Sequence, residues 1–311
     1  MNFGTVFNAG LLAATISLMT PILLTALGAL SSERAGVLNI GTEGMMLNGA
    51  FSAMAVAVTT HNPWAGILAA LVVGGLSGLI LALWTVTFLA NQVVVGIVIN
   101  LTASGLTSFL YQAYYPQTGG TLIRTPAFGN WSIPLLDRLP AVGPVFVQNP
   151  LVFMAFALVL VLTYVLFHTS PGLVIRAVGE SARTADTAGI NVYLVRYTMA
   201  CFGGALAGLG GSYLSLVEAH AFQPDMTDGR GYIALAVVML GKWHPVKALA
   251  GAVLFGAADA LQFRVQGLSL PIPPLSLTLL PYVVTLLVLI GVVGKVVAPA
   301  EDGQAYVKEE A

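Results

Sequence analysis

Long apolar stretches, separated by short polar segments, dominate the pattern of this sequence. Nine such stretches lie between clusters of charge, proline or glycine, near residues 7–30, 36–58, 64–90, 92–114, 149–168, 193–217, 229–243, 246–266 and 276–297. Most approach the roughly 20 residues that a helix needs to cross a membrane. We expect helices because lipid offers no hydrogen-bond partners to an exposed backbone. The pattern predicts about nine transmembrane helices, within a range of about eight to ten.

The arrangement of these stretches predicts the overall architecture. Four stretches precede the loop at 115–148, four follow the loop at 169–192, and the fifth lies between the two loops. The two sets would cross the membrane in opposite directions, which is typical of inverted-repeat transporters. We therefore predict an all-α polytopic membrane protein with an inverted repeat of four helices around a central span. Residues 1–300 would form one transmembrane domain and residues 301–311 a short cytoplasmic tail. The short seventh stretch predicts a broken or re-entrant helix.

Composition restricts the function classes. Hydrophobic residues make up 57% of the 311 residues and charged residues only 8%, against about a quarter charged in soluble domains, so a soluble globular protein is excluded. The net charge of −1 offers no basic surface for nucleic acid. The single cysteine, Cys201, excludes a disulfide framework and a cysteine metal cluster.

The positions of lysine and arginine predict the orientation in the membrane, because cytoplasmic loops carry an excess of these residues. If the loop at 169–192 is cytoplasmic, eight cations lie inside and four outside. The inside set is Arg34, Arg176, Arg183, Arg196, Lys242, Lys247, Lys295 and Lys308, and the outside set is Arg124, Arg138, Arg230 and Arg264. We therefore expect an outside N-terminus and a cytoplasmic C-terminus.

Motifs of soluble and membrane enzymes are missing from the sequence. It contains no GxxxxGK[ST], HExxH or GxSxG pattern, and its four histidines are widely separated. A metal site needs several ligands that converge, so we expect no catalytic residues, no metal and no cofactor in this chain. Transport is the function class that remains.

Polar residues inside the apolar stretches indicate where a transported solute could pass. A buried charge is costly in a membrane and usually faces a cavity or a partner. Glu43 and Asp259 are such charges, and Asn39 would share a helix face with Glu43. The alternative for Glu43 is a polar contact that fixes helix packing, and for Asp259 a structural ion pair with Arg264 or a capped carboxylate. The predicted pathway residues are Asn39, Glu43, Asn48, Asn91, Asn100 and Asp259.

Two polar segments outside the spans predict contacts with partner proteins. The first is an external charged turn before the seventh stretch, which predicts either solvated loop charges or a docking surface formed by Glu218, Asp225, Asp228 and Arg230. The second follows the fifth stretch, where Pro171 and Gly172 end the helix, residues 180–188 favour one short helix, and Gly189 is a natural helix stop. A helix there would be a lever for a cytoplasmic ATPase.

Six segments resemble the permease subunits of bacterial ABC importers of the ribose/branched-chain amino acid superfamily, in its nucleoside-type branch. They are SSERAGVLNIGTEGMMLNGAF (31–51), NQVVVGIVINL (91–101), RAVGESARTADTAGINVYLVRY (176–197), GGALAGLGGSYLSL (203–216), MTDGRGYIALAVVMLGKWHP (226–245) and FGAADALQ (255–262). The segments keep the same order and extend over nearly the whole chain.

The resemblance implies a permease that moves nucleosides or related polar solutes into the cytoplasm of a bacterium by alternating access, from the inner or plasma membrane. It implies a second homologous permease, a cytoplasmic ABC ATPase with tandem nucleotide-binding domains that uses ATP and Mg²⁺, and an extracytoplasmic substrate-binding lipoprotein. The ATPase-coupling loop of the family corresponds to Arg176, Gly179, Glu180, Arg183, Ala188 and Gly189. The alternatives are a permease for simple sugars or branched-chain amino acids, and an ion-coupled secondary transporter that acts alone.

Overall fold

The computed structural model describes residues 9–115, 123–132, 146–266, 279, 283 and 297–308. Most of these residues are helical, and the pattern of apolar stretches accounts for the helices. The helices are α1 (Ala9–Glu33), α2 (Thr42–Thr60), α3 (Pro63–Ala82), α4 (Gln92–Tyr114), α5 (Pro150–His168), α6 (Ser170–Glu180), α7 (Ala182–Thr187), α8 (Val192–Tyr213), α9 (Arg230–Leu240) and α10 (Pro245–Gln266). A π-helical turn extends α3 over Leu83–Thr87, and another extends α8 over Leu214–Glu218.

Eight of the nine predicted spans fall on described helices, and the chain is a polytopic all-α membrane protein. Six helices are long and apolar enough to cross a membrane, namely α1, α3 with its π turn, α4, α5, α8 with its π turn, and α10. The ninth predicted span, at 276–297, lies almost entirely outside the described residues.

The second predicted span differs most from expectation, because its helix begins at Thr42 instead of near residue 36. Gly36 has a φ of +81°, a conformation that favours glycine, and residues 37–39 have no helical structure. Asn39 therefore precedes the helix, and the prediction that Asn39 and Glu43 share a helix face is wrong.

Glycines bring the central helices into backbone contact, as the four-residue spacing of small residues predicts. A Cβ atom on Gly78 of α3 would lie 2.2 Å from the carbonyl oxygen of Ala200, and one on Gly204 of α8 would lie 2.3 Å from that of Gly74. Gly256 of α10 approaches α1 in the same way, with the carbonyl oxygen of Thr15 at 2.6 Å from the position of a Cβ. The core is therefore centred on α1, α3 and α8.

The described part of the 115–148 loop is ordered against the helices. Its strands β1 (Trp131–Ser132) and β2 (Val147–Gln148) pair antiparallel. The Thr125 amide donates to the His220 carbonyl at 2.9 Å, and Phe128 packs edge-on against Trp64 with ring centroids 5.0 Å apart. These contacts hold the described part of the loop against the ends of the helices. Residues 116–122 and 133–145 lie outside the described residues.

Candidate functional site

A loop before α9 enters the helix bundle alongside α4. Phe222 packs against Tyr111 with ring centroids 5.2 Å apart, Asp225 accepts a hydrogen bond from Ser104 at 2.6 Å, and Tyr232 accepts one from Asn100 at 2.9 Å. Along α4 these contacts stand about 28, 18 and 12 Å from Gln92, at 1.5 Å per residue. Between Phe222 and Tyr232 the chain therefore advances by about 16 Å along α4, so the seventh predicted span is a broken one, in which the irregular loop at 219–229 precedes a short helix.

The helix α9 is too short to cross a membrane by itself. Its 11 residues span about 16 Å, against a hydrocarbon core of about 30 Å. It begins beside Asn100 and ends near Trp243, whose carbonyl accepts a hydrogen bond from Arg34 at the end of α1. The α9 helix therefore connects the interior of the bundle to the end of the molecule that carries Arg34.

The Glu43 carboxylate joins the beginnings of two helices. It lies in the first turn of α2 and accepts hydrogen bonds from the amides of Gly229 at 2.8 Å and Gly231 at 2.6 Å. A helix N-terminus carries partial positive charge, which favours a carboxylate at that position. Gly231 is needed for the close approach, because a Cβ there would lie 2.5 Å from the Glu43 Cα atom. This contact corresponds to the packing alternative for Glu43.

Asn100 completes this junction with three hydrogen bonds. Its Oδ1 accepts from the Gly44 amide at 2.8 Å, and its Nδ2 donates to the Ile40 carbonyl at 3.0 Å as well as to Tyr232. Irregular backbone inside a membrane needs such partners, since lipid supplies none. Discontinuous helices of this kind surround the solute sites of many transporters.

A polar cavity of about 340 Å³ lies beside the junction, and we call it the polar chamber. The cavity is lined by the π turn of α8, the loop at 219–229 and the first residue of α9. The lining residues are Leu214, Glu218, Ala219, Gln223, Pro224, Asp225, Met226, Asp228 and Arg230. Arg230 donates to Glu218 at 2.7 Å. All four residues predicted for external docking therefore line one cavity, next to Glu43 and Asn100.

Backbone strain accompanies the chamber. His220, Asp225 and Asp228 have φ values of 50°, 56° and 46°, a left-handed region that residues other than glycine rarely adopt. Such residues cluster at functional sites, where the surrounding structure holds them in place. The conformation of the loop at 219–229 is therefore fixed by its contacts rather than by the backbone preferences of its residues.

The other predicted pathway residues lie in different surroundings. Asp259 is buried in α10. It is close enough to the chamber to interact electrostatically with Arg230, Glu218 and Asp228. Asn48 donates to Ser77 at 3.2 Å beside a separate, mostly apolar cavity of about 440 Å³ between α3 and α4. Asn91 caps α4 by accepting from the Val93 amide at 2.9 Å. Asn39 is fully buried before α2.

The predicted coupling segment contains two short helices: α7 (Ala182–Thr187) lies within the predicted range of 180–188, and α6 (Ser170–Glu180), which the sequence did not predict, precedes it. Glu180 ends α6, and Ser181 begins α7 by accepting a hydrogen bond from the Thr184 amide at 3.3 Å. Pro171 lies in the first turn of α6, where proline favours a helix start. Gly189 ends the segment at a φ of +83°, as its predicted role as a stop requires.

Contacts with α1 tie the coupling helices to the bundle. A Cβ on Gly179 would lie 2.1 Å from the Arg34 carbonyl oxygen, so the two backbones touch. The guanidinium groups of Arg34 and Arg176 lie over the Phe167 ring, 5.6 and 5.3 Å from its centroid. Glu180, Arg183, Ala188 and Gly189 remain exposed on the outer side of the segment.

A neutral histidine also packs at this end of the bundle. The His244 ring stacks on Phe167 with centroids 4.6 Å apart. Burial, together with the charges of Lys247 and Arg34, lowers the pKa of His244 below its ordinary value. The uncharged form of His244 is therefore favoured at the Phe167 ring, over which Arg34 and Arg176 also lie.

Two contributors to the site were missed at the sequence level. Tyr232 and Ser104 gave no signal, because neither carries charge and each meets a partner more than 100 positions away. Conversely, the described residues contain no group of three or more His, Cys, Asp or Glu side chains that could hold a metal ion.

Comparison with known proteins places this geometry among transporters. The family model described as branched-chain amino acid transport system / permease component matches residues 11–293. The nucleoside ABC transporter permease protein NupC of Lactococcus lactis is 37% identical over 303 residues, which is 94% of each chain. The guanosine ABC transporter permease protein NupQ of Bacillus subtilis is 38% identical over 307 residues, 95% of each chain.

Two further comparisons concern a sugar transporter and a solved structure. The putative glucose ABC transporter permease protein TsgC13 of Haloferax volcanii is 40% identical over 287 residues, covering 90% of this chain and 86% of the relative. An inward-facing putative metal-chelate type ABC transporter matches with a TM-score of 0.50 and 14% identity, over 91% of this chain and 83% of the other. That likeness concerns the fold alone.

Proposed function

The chain belongs to the family of branched-chain amino acid transport system permease components, and from this premise we propose that it carries nucleosides across the cell membrane as the permease of an ATP-driven importer. Permeases of this kind work with an ATPase and a solute-binding protein. The observation that carries the proposal is the 37% identity to a nucleoside permease over 303 residues, which extends across both the polar chamber and the coupling helices.

The geometry suggests how ATPase movement reaches the solute. An ATPase with tandem nucleotide-binding domains, using ATP and Mg²⁺, would bind to the exposed surface of α6 and α7. Gly179 would pass a displacement to Arg34, and the hydrogen bond from Arg34 to Trp243 would pass it to α9. The other end of α9 borders the polar chamber, so a shift of one short helix would change the chamber.

The polar chamber is the proposed resting point of the solute inside the permease. Its carboxylates accept hydrogen bonds and its arginine donates them, which suits the hydroxyl and ring N–H groups of a nucleoside. We further propose a second homologous permease subunit beside this one. An extracytoplasmic binding lipoprotein would release solute at the outer mouth, with the N-terminus outside and the C-terminus in the cytoplasm.

A glucose permease relative favours simple sugars as a second candidate solute class. Sugars and nucleosides are both uncharged and rich in hydroxyl groups, so the same chamber chemistry serves either. Direct uptake separates them: labelled guanosine should enter reconstituted vesicles and labelled glucose should not. Uptake of glucose without uptake of guanosine would assign the permease to sugars.

The central experiment reconstitutes the permease with its ATPase and binding protein in vesicles and measures uptake of labelled nucleoside. Uptake should require ATP, and uptake by the permease alone would instead identify an ion-coupled secondary transporter. The double variant Glu180→Ala with Gly189→Pro should lower uptake and solute-stimulated ATP hydrolysis by at least roughly tenfold, within the usual range of coupling energies. Proline cannot adopt the positive φ of Gly189.

A matched substitution within the same coupling segment serves as the control. Thr187→Ser keeps the exposed hydroxyl that donates to the Thr184 carbonyl, and should leave uptake unchanged. Normal uptake by the double variant, with the permease present in the membrane at its usual level, would refute the coupling role of this segment.

A further inference from the structure

The C-terminal segment docks against the end of the molecule that carries the coupling helices, although the sequence predicts only a short tail there. We call residues 299–308 the C-terminal strap. Pro299 is buried, and Glu301, Asp302 and Tyr306 are half-buried. A free tail would be exposed throughout, so the strap belongs to the folded molecule.

The strap touches both coupling helices. The Glu301 amide donates to the Gly179 carbonyl at 2.9 Å, at the end of α6 where that helix meets α1. The Lys308 ammonium lies 3.5 Å from the Asp186 carboxylate of α7. Because one contact lies near each end of the strap, α6 and α7 are linked through it as well as through Ser181.

The same strap holds two membrane-spanning helices. Arg196 of α8 is only 1% exposed, and it donates to the Gln304 carbonyl at 2.8 Å and contacts the Glu301 carboxylate at 3.4 Å. Gln92 at the start of α4 donates to the same Gln304 carbonyl at 3.5 Å. A buried charge that loses its partner is strongly destabilising, so Arg196 secures the strap.

The strap also reaches the segment that leads to the polar chamber. A Cβ on Gly36 would lie 3.1 Å from the Glu301 carbonyl oxygen and 3.0 Å from the Arg196 guanidinium. Gly36 begins the irregular stretch that ends at α2, where Glu43 meets α9. The strap therefore contacts α4, α6, α7, α8 and the approach to α2 within ten residues.

We propose that the C-terminal strap is a positioning element of transport, which carries movement of the coupling helices directly to α4, α8 and the segment before α2. This inference rests on the proposed importer function. It adds a second mechanical connection to the one through Arg34 and α9, and it assigns Glu301, Gln304 and Lys308 to coupling rather than to a passive tail.

Two graded variants test the strap, each in the complete complex of permease, ATPase and binding protein. The first ends the chain after Ala298, and its matched control ends after Lys308. The second is Tyr306→Ala with Lys308→Ala, which removes the ring over which Arg196 lies, with the guanidinium carbon 6.0 Å from the centroid, and the ion pair to Asp186. Its matched control is Val307→Ala, at the exposed residue between them.

Loss of coupling with retained assembly is the expected signature. The truncation after Ala298 should co-purify with the ATPase and keep its basal ATP hydrolysis, while solute-stimulated hydrolysis and uptake fall by roughly tenfold or more. The double alanine variant should lose roughly twofold to fivefold, because Glu301 and Gln304 still hold the strap. Both controls should behave as the unmodified protein does.

The outcomes separate the strap from the importer function. If the unmodified complex shows no ATP-dependent uptake, the proposed function fails. If it transports and both strap variants transport equally well, the strap inference alone is wrong. If the truncation loses ATPase binding and the double alanine variant keeps full coupling, the segment only supports folding or docking, and the inference is again overturned.

Discussion

Glu43 joins two helix beginnings, and this single contact organises the interior of the permease. Its two carboxylate oxygens accept from two amides of one helix while its own backbone belongs to another. The arrangement gives those amides acceptors within the bundle, where lipid would offer none. It also places one formal negative charge against the positive end of α9.

Replacement of Glu43 separates packing from transport. Glu43→Ala leaves the Gly229 and Gly231 amides without their acceptor, and we expect a loss of about 1–3 kcal/mol in stability. Glu43→Gln retains one acceptor oxygen and should lose less. Thermal unfolding in detergent measures the stability, and ATP-dependent uptake measures transport in the same samples.

The two variants have distinct contrary outcomes. An unchanged unfolding temperature for Glu43→Ala would refute the capping role. A Glu43→Gln protein with nearly native stability and no uptake would assign the carboxylate to the solute path, as predicted from the sequence.

Residue chemistry could be predicted further than residue contacts. The rarity of charge in the spans singled out Glu43 and Asp259, because such charges are costly in lipid. The partners of Glu43 lie 186 and 188 positions away, and no local pattern encodes that distance. In the same way, the sequence identifies Asn100 as a polar residue within a span, but its hydrogen bond to Tyr232 becomes evident only in the folded structure.

At the scale of elements, the long spans follow from apolar patterning, and the short ones do not. The predicted span at 149–168 became Pro150–His168, and the one at 246–266 became Pro245–Gln266. By contrast, the start of α2 depends on Gly36 and on the hydrogen bonds of Asn100. The division between α6 and α7 depends on one capping serine.

The C-terminal strap responds to pH through Asp302. Burial raises the pKa of Asp302 from its ordinary 3.8 to about 7, although the Arg196 charge acts in the opposite direction. The buried Glu33 carboxyl at the end of α1 is a second titratable group that interacts with Asp302. Because the docked strap favours the protonated acid, its docking should be strongest below about pH 4 and should weaken as pH rises to about 7.

Hydrogen–deuterium exchange of residues 299–308, corrected for the intrinsic rates, measures this docking. Protection should be greater at about pH 5.5 than at about pH 8. Asp302→Asn removes the titrating charge and should leave protection high at both pH values. The same fall in protection with pH in that variant would mean that another group controls the docking.

At the scale of the whole molecule, four of the described cations predicted for the inner face gather at one end of the bundle. Arg34 and Arg176 share Phe167, Arg196 meets Glu301, and Lys308 meets Asp186. The charged residues of the turn at 218–230 instead line the chamber. The distribution of charge along the sequence thus indicated which charged residues lie at the same end of the bundle. The chamber could not be predicted in this way, because it forms where α2 and α9 meet.

Cysteine accessibility tests the orientation that the same charges predict. In a Cys201→Ala background, single cysteines at His61 and Asp228 should react with a membrane-impermeant maleimide in intact cells. Cysteines at Thr187 and Gly303 should react only after the membrane is opened. All four positions are exposed in the structure. A difference between His61 and the pair Thr187 and Gly303 therefore reports the side of the membrane, whereas Asp228 also reports access to the chamber.

The result at Asp228 carries the most information, because this residue lines the chamber about halfway along α4. Labelling at both His61 and Asp228 from outside would mean that the chamber is accessible from the side on which a binding protein delivers solute. Labelling at His61 but not at Asp228 would mean that the chamber is closed to the outside in the resting permease. Labelling at Thr187 in intact cells would reverse the orientation and place the coupling helices beyond the reach of a cytoplasmic ATPase.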